Sequence, residues 1–70
     1  MDNNQLAQRV RAFRKLKGYT QQGLAKELGV SVAVLGSLER GTRKMDPKLL
    51  DNISRTLGIS SEELMRSERE

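Results

Sequence analysis

The sequence contains no cysteine, no histidine and no tryptophan, and its 70 residues include one phenylalanine, one tyrosine and one proline. Without cysteine, the chain cannot form a disulfide framework, a thiolate metal site or a cysteine nucleophile. Without histidine, it lacks the usual ligand of catalytic zinc and the usual general base. The few aromatic side chains cannot form a surface on which nucleic-acid bases stack. We therefore expect a binding module rather than an enzyme, with no catalytic residue, no metal and no cofactor.

Long hydrophobic runs are also missing. No apolar segment approaches the roughly 18 residues that a membrane-spanning helix needs, and no signal-peptide pattern is found at the start of the sequence. We therefore expect a cytoplasmic protein without a membrane partner. The length predicts one domain over residues 1–70, with an ordered core from about 5 to 65. Its 36% apolar residues suffice for one modest core, and a core of this size favours association with a partner or a second copy.

The charged residues are unevenly distributed along the chain. Thirteen Lys and Arg residues against nine Asp and Glu residues give a net charge of +4. Residues 1–48 carry a net charge of +6, whereas residues 49–70 carry −2. A basic front part is typical of a protein that places one surface on a polyanion such as nucleic acid. An ordinary solvated surface can have the same asymmetry, so charge alone leaves both interpretations open.

Capping residues and glycines divide the sequence into five short helical segments without strand-like alternation. In the first segment, Leu6, Val10 and Phe13 recur at the spacing of one helical face, with Asn4 as the predicted N-cap. Each later segment begins at a capping residue, and the fourth has proline at its first helical position. Their predicted N-caps are Thr20, Ser31, Asp46 and Ser60, and the glycines that end the first four helices are Gly18, Gly29, Gly41 and Gly58. The sequence therefore predicts a compact all-α domain of five helices.

Two charged residues lie where the helical pattern predicts burial. Arg14 is four residues after Val10, and Glu39 is four residues after Leu35, so each lies on the inward side of its helix. A buried charge without a partner costs several kcal/mol. We predict that Arg14 and Glu39 form a structural ion pair between the first and third helices.

The segment from residue 20 to residue 41 reads TQQGLAKELGVSVAVLGSLERG. Its two short helices are joined by a tight turn at Gly29-Val30, and such a turn forces the steep crossing of a helix-turn-helix. The chain resembles the lambda-repressor/Cro-like helix-turn-helix family, also called the xenobiotic-response-element family, over nearly its whole length. The matching positions are Thr20, Gln21, Leu24, Ala25, Leu28, Gly29, Val30, Ser31, Leu35, Glu39 and Gly41, followed by Leu50, Ile53, Leu57, Gly58, Ile59, Ser60 and Leu64.

The resemblance implies a five-helix domain that reads the major groove of double-stranded DNA with its third helix, here residues 31–40. It also implies a transcriptional regulator, most often a repressor, that binds an inverted repeat as a homodimer. Gln21 matches a phosphate-contacting glutamine, and Arg14 and Glu39 match the family's inward arginine and glutamate. The DNA-binding residues implied by the resemblance are Gln21, Ser31, Val32, Ala33, Gly36, Ser37, Arg40, Thr42, Arg43 and Lys44.

Three of the base-facing positions depart from the family pattern. Val32, Ala33 and Gly36 carry no side chain that forms hydrogen bonds, so the bidentate reading of guanine or adenine is absent there. Specificity would then depend on thymine methyl groups, on Arg43 or Lys44 at base edges, and on DNA shape. Gly36 also costs the helix about 1 kcal/mol relative to alanine. Two interpretations stay open: the glycine allows the backbone to approach DNA closely, which we favour, or it has no role in binding.

The homodimer is expected to use the helical domain itself, since the 70 residues leave no room for a separate oligomerisation domain. The fifth helix is the natural candidate. Ile59, Leu64 and Met65 are the apolar residues that we predict at the dimer interface.

Two other functions are compatible with parts of the sequence. An antitoxin or anti-repressor would keep the same fold and bind another protein through the third helix, where Val32 and Val34 are expected to be exposed apolar side chains. The retained Gln21 and the basic front part favour DNA instead. An enzyme would need a nucleophile, a base or a metal site, and the chain offers only scattered serines.

Overall fold

Five α-helices follow one another along the chain in the computed structural model, which describes residues 3–66. They are α1 (Asn3–Leu16), α2 (Gln21–Leu28), α3 (Val32–Arg40), α4 (Pro47–Leu57) and α5 (Ser61–Met65). Residues 3–66 contain no β-strand, which confirms the prediction of an all-α fold with five helices. Within the same range, every helix is too short or too polar to cross a membrane.

Local capping sets the starts of the last four helices. In each, the side-chain oxygen of the residue before the helix accepts a hydrogen bond from the backbone amide three residues later. Such an N-cap stabilises the protein by about 1 kcal/mol. The four pairs are Thr20–Gly23, Ser31–Val34, Asp46–Leu49 and Ser60–Glu63, at 2.9, 3.1, 2.7 and 3.0 Å. These predicted N-caps are confirmed. The prediction for Asn4 is wrong, because α1 already includes Asn3.

The helices enclose one apolar core. Helix α1 packs against α3, α4 and α5, and α2 packs against α3 and α4. Ala7 and Met45 are buried although neither belongs to the predicted helical stripes, and Met45 lies in the loop between α3 and α4. The buried apolar residues of the described chain are Ala7, Val10, Leu24, Ala25, Leu35, Leu38, Met45, Ile53, Leu57 and Leu64.

Helix α5 is held on the domain by Arg9 of α1. The Arg9 Nε donates to the carbonyl oxygen of Leu64 at 2.9 Å, and its Nη2 donates to that of Glu63 at 2.7 Å. These carbonyls belong to the last turn of a five-residue helix, which is too short to be stable without such tertiary contacts. Leu64 itself is fully buried in the core of the single chain. The prediction that Leu64 lies at a dimer interface is therefore wrong.

Candidate nucleic-acid interface

A three-residue connection places α3 across α2. Gly29 ends α2 in the left-handed backbone region, with φ of 73°, and the amide of Val30 donates back to the carbonyl oxygen of Ala25 at 3.0 Å. Ser31 then caps α3. Ala25 is only 1% exposed, and its small side chain allows the two helices to pack closely. This local geometry brings the first residue of α2 next to the middle of α3.

The C-terminal half of α3 is fixed to α1 by an ion pair. Arg14 Nε lies 2.6 Å from Glu39 Oε2, and Arg14 Nη2 lies 3.2 Å from Glu39 Oε1. The two side chains are 9% and 2% exposed. The remaining Arg14 Nη1 donates to the carbonyl oxygen of Tyr19 at 2.9 Å. The guanidinium is therefore held by two contacts to Glu39 and by one backbone carbonyl. Because these contacts fix the geometry of the pair, the pair holds α3 in one orientation on the core. The structure thus contains the pair that the helical phase predicts.

Gln21 is attached to the same carboxylate. Its Nε2 donates to Glu39 Oε1 at 3.1 Å, so one oxygen of Glu39 accepts from both Arg14 and Gln21. Gln21 is the first residue of α2 and is half-buried. The positive end of the helix dipole lies at this position. The ion pair therefore also positions the side chain that the resemblance assigns to a phosphate.

Four side chains on one side of α3 form a surface that we call the α3 face. Val32 is 41% exposed, Ala33 and Arg40 are exposed, and Ser37 is half-buried. Helical phase places these positions on the same side of the helix, away from Leu35 and Leu38 in the core. The α3 face is therefore the part of this helix that remains available to a partner.

Two residues of α3 do not lie where the sequence predicts them. Gly36 is buried, and a β-carbon built on it would lie 3.2 Å from Arg40 Nη1 and 3.9 Å from Gln21 Nε2. Other side chains therefore cover Gly36 in the free protein, although the sequence predicts an open position there, and its contact with bases stays a prediction. Val34 is half-buried and packs against the core, so it is not the exposed apolar residue expected from the sequence.

The loop after α3 presents the remaining predicted residues. Thr42, Arg43 and Lys44 are exposed, but the loop backbone is held in place. The Thr42 hydroxyl donates to the carbonyl oxygen of Ser37 at 3.1 Å, and Asn3 Nδ2 donates to that of Gly41 at 3.0 Å. Fixed backbone and exposed side chains suit this loop for contact with a phosphate chain.

Two hydroxyl groups of this surface already form hydrogen bonds within the protein. Ser31 Oγ accepts from the amide of Val34, and the Thr42 hydroxyl donates to a carbonyl. Ser31 keeps its hydroxyl proton for a partner, whereas Thr42 keeps only an oxygen lone pair, which does not bind phosphate. A phosphate contact from residue 42 would therefore require its hydroxyl to leave Ser37.

Sequence reasoning missed two residues that position this surface and its surroundings. Asn3 fixes the loop after α3 through Gly41, and Arg9 fixes α5. For Arg9 a signal was present, since it is three residues after Leu6 and four before Phe13, at the edge of the inward stripe of α1. For Asn3 there was none, because its partner is the backbone of a distant loop.

Proteins similar to this chain were found by sequence. The profile of the family described as Helix-turn-helix matches residues 10–64. The HTH-type transcriptional regulator YazB of Bacillus subtilis (strain 168) is 51% identical over 61 residues, covering 87% of this chain and 88% of YazB. The HTH-type transcriptional regulator SinR of the same organism is 33% identical over 67 residues, covering 93% of this chain and 60% of SinR.

Solved structures agree with the sequence matches. The clp gene regulator ClgR from Corynebacterium glutamicum superposes with a TM-score of 0.87 at 33% identity, covering 90% of this chain and 67% of that chain. SinR in complex with DNA gives a TM-score of 0.80 at 32% identity, covering 87% and 98%. SinR in complex with the protein SinI superposes with a TM-score of 0.83 at 31% identity, covering 91% of this chain and 63% of that SinR chain.

Proposed function

Since this chain belongs to the helix-turn-helix family of DNA-binding transcriptional regulators, which are not enzymes, we propose that it is a repressor that binds an inverted-repeat operator as a homodimer. Helix α3 enters the major groove, and α2 crosses the phosphate backbone beside it. The two-fold symmetry of the dimer then requires half-site centres about 34 Å apart, or a multiple of that distance.

The observation that carries this proposal is the set of polar and cationic side chains that flank the α3 face. Gln21 lies beside its middle, held by Glu39 at 3.1 Å, and the exposed cations Arg43 and Lys44 follow its C-terminal end. An amide at a helix N-terminus and fixed cationic loops are groups that contact phosphate oxygens, and such contacts set the position of a protein on duplex DNA. The apolar part of the α3 face would then lie over base edges.

The first turn of α3 suits thymine. Val32 and Ala33 are exposed and offer only methyl groups, and apolar side chains in the major groove contact the thymine methyl. We propose that each half-site has thymines at the positions these two residues reach. The neighbouring Ser37 adds a hydroxyl group that discriminates weakly between bases.

The dimer contact that we propose is at the end of α5. Met65 is 43% exposed there, and Ile59, just before α5, is half-buried against the core. With Leu64 buried inside the single chain, these two residues are what remains of the predicted apolar surface. A second copy that covered Met65 would remove one of the large exposed apolar side chains from water.

Salt dependence of DNA binding tests this proposal with a matched pair of variants. Arg43→Ala removes a cation proposed to contact phosphate, so affinity should fall and the slope of log K against log salt should become shallower by about 1. Arg11→Ala removes the same charge from the outward face of α1, which Gln8, Ala12 and Lys15 also line. Arg11→Ala should leave both quantities unchanged. Equal effects of the two substitutions would mean that only net charge matters and would contradict the assigned surface.

A protein partner is the second candidate for the α3 face. Val32 is a large apolar side chain that is 41% exposed, and the similar protein SinR has a solved complex with another protein, SinI. An apolar protein contact responds little to salt, whereas phosphate binding weakens steeply. If the chain binds no duplex DNA at low salt, this second function replaces the first.

A further inference from the structure

Gly36 lies in the middle of α3, on the side of the helix that is otherwise open to solvent. It is buried, whereas the neighbouring positions 32, 33 and 40 on that side are exposed. The atoms closest to where its β-carbon would lie are side-chain nitrogens, Arg40 Nη1 at 3.2 Å and Gln21 Nε2 at 3.9 Å. The Arg40 nitrogen is closer than an ordinary van der Waals contact, so a β-carbon at position 36 would press against the guanidinium, whereas Gln21 Nε2 would stay at ordinary contact distance.

The guanidinium of Arg40 reaches this space by folding back along the helix. Arg40 is the last residue of α3, and helical side chains lean toward the N-terminus, over the residues three and four positions earlier. Those residues are Ser37, whose Oγ lies 3.4 Å from Arg40 Nη2, and Gly36. The guanidinium consequently lies over the middle of α3 instead of extending from its end into solvent.

We infer that Gly36 is a positioning residue, and that it places the Arg40 guanidinium where it can read a guanine in the major groove. This inference rests on the proposed function. Among the side chains of the α3 face, Val32 and Ala33 cannot hydrogen-bond and Ser37 has one hydroxyl group. Arg40 is the member with two parallel N–H donors, which match O6 and N7 of guanine. The base discrimination that Val32, Ala33 and Gly36 cannot supply is thus assigned to Arg40.

Replacing Gly36 by alanine should change stability and DNA recognition in opposite directions. Alanine is the better helix former, and Arg40 is an exposed, flexible side chain that can move away from the added methyl group. The midpoint of thermal unfolding should therefore rise by about 4 °C. The displaced guanidinium should lose its contact with the base, and affinity for the preferred duplex should fall about tenfold. A residue with only a structural role would not produce this opposition.

The test is a double-mutant cycle on a duplex selected by the wild-type protein from a random pool. Gly36→Ala, Arg40→Ala and the double variant are measured on that duplex and on copies in which each guanine is replaced. Both single variants should lose about tenfold in affinity and the preference for one guanine, and the double variant should lose no more than Arg40→Ala alone. Arg40→Lys is the control, because lysine keeps the charge but not the paired donors. It should bind more tightly than Arg40→Ala but prefer guanine less than the wild type does, since an ammonium group can contact guanine without the paired geometry of the guanidinium.

Three results would overturn the inference. In the first, Gly36→Ala binds the selected duplex with unchanged affinity and unchanged preference for guanine. In the second, Gly36→Ala lowers the affinity by the same factor when Arg40 is already alanine. Arg40→Ala could weaken all duplexes equally, with Arg40→Lys restoring the affinity, which would make the contact a phosphate contact. Failure of the wild-type protein to select any duplex is a different outcome, since it refutes the proposed function together with the inference.

Discussion

Replacing Arg14 by methionine should largely unfold the protein. Methionine keeps much of the side-chain length but removes the charge that pairs with the Glu39 carboxylate, which is 2% exposed. The Gln21 amide would still donate to this carboxylate. Removing one member of a buried ion pair costs about 3–5 kcal/mol, because the other charge stays buried. A core of this size supplies a total stability of roughly 3–5 kcal/mol. The loss is therefore comparable with the whole free energy of unfolding.

The chain provides a matched control on its surface. Arg55 Nε lies 3.1 Å from Asp51 Oδ2, but these side chains are 78% and 49% exposed. An exposed pair four residues apart on a helix contributes only about 0.3–0.5 kcal/mol, since water screens both charges. Arg55→Met should therefore leave the free energy of unfolding nearly unchanged, although it makes the same chemical replacement.

Urea unfolding followed by far-ultraviolet circular dichroism measures both variants. The double variant Arg14→Met with Glu39→Leu should recover most of the loss, because it leaves no unpaired buried charge. If Arg14→Met lost no more stability than Arg55→Met, the buried pair would have no special role in holding α3, and the reasoning from burial would be refuted.

Two further predictions concern the surfaces of α3 and α5. Ala33→Glu should abolish DNA binding in a mobility-shift assay while the thermal midpoint stays within a few degrees of wild type. The substitution puts an anion on the exposed α3 face that we propose enters the groove of a polyanion, and normal binding would remove α3 from the interface. Met65→Glu should convert a dimer to a folded monomer in analytical ultracentrifugation, whereas Leu64→Glu should unfold the chain because Leu64 is fully buried. A dimer that survives Met65→Glu would place the contact elsewhere.

Helix boundaries were predictable because capping is local. The side chains of Thr20, Ser31, Asp46 and Ser60 each reach an amide three residues away, so the signal lies within one short segment of sequence. The start of α1 was predicted wrongly, because Asn4 is a good N-cap residue by type but lies inside the helix, which already includes Asn3.

The ion pair was predictable from phase and from the cost of burying charge. Arg14 and Glu39 lie on inward stripes, and a charge there requires a partner. The third participant, Gln21, was not predictable from phase, because its contact with Glu39 at 3.1 Å depends on how α2 crosses α3. A family resemblance supplied a role for Gln21 but not this contact.

Exposure was the least predictable property. Leu64 and Val34 are apolar residues on short helices, where few turns are available to define an inward face. Leu64 is fully buried where α5 packs on α1 and α4, and Val34 packs against the core as well. The burial of Gly36 depends on the path of a long side chain, that of Arg40, which no sequence pattern encodes.

Selection of bound duplexes from a random DNA pool tests the central claim most directly. The account predicts enrichment of an inverted repeat whose half-site centres lie about 34 Å apart or a multiple of that distance, with binding that weakens steeply as salt rises. Thymines and one guanine should recur within each half-site. A pool that stays unenriched, or a protein that retains no duplex even at low salt, would contradict the claim that this chain is a sequence-specific DNA-binding repressor.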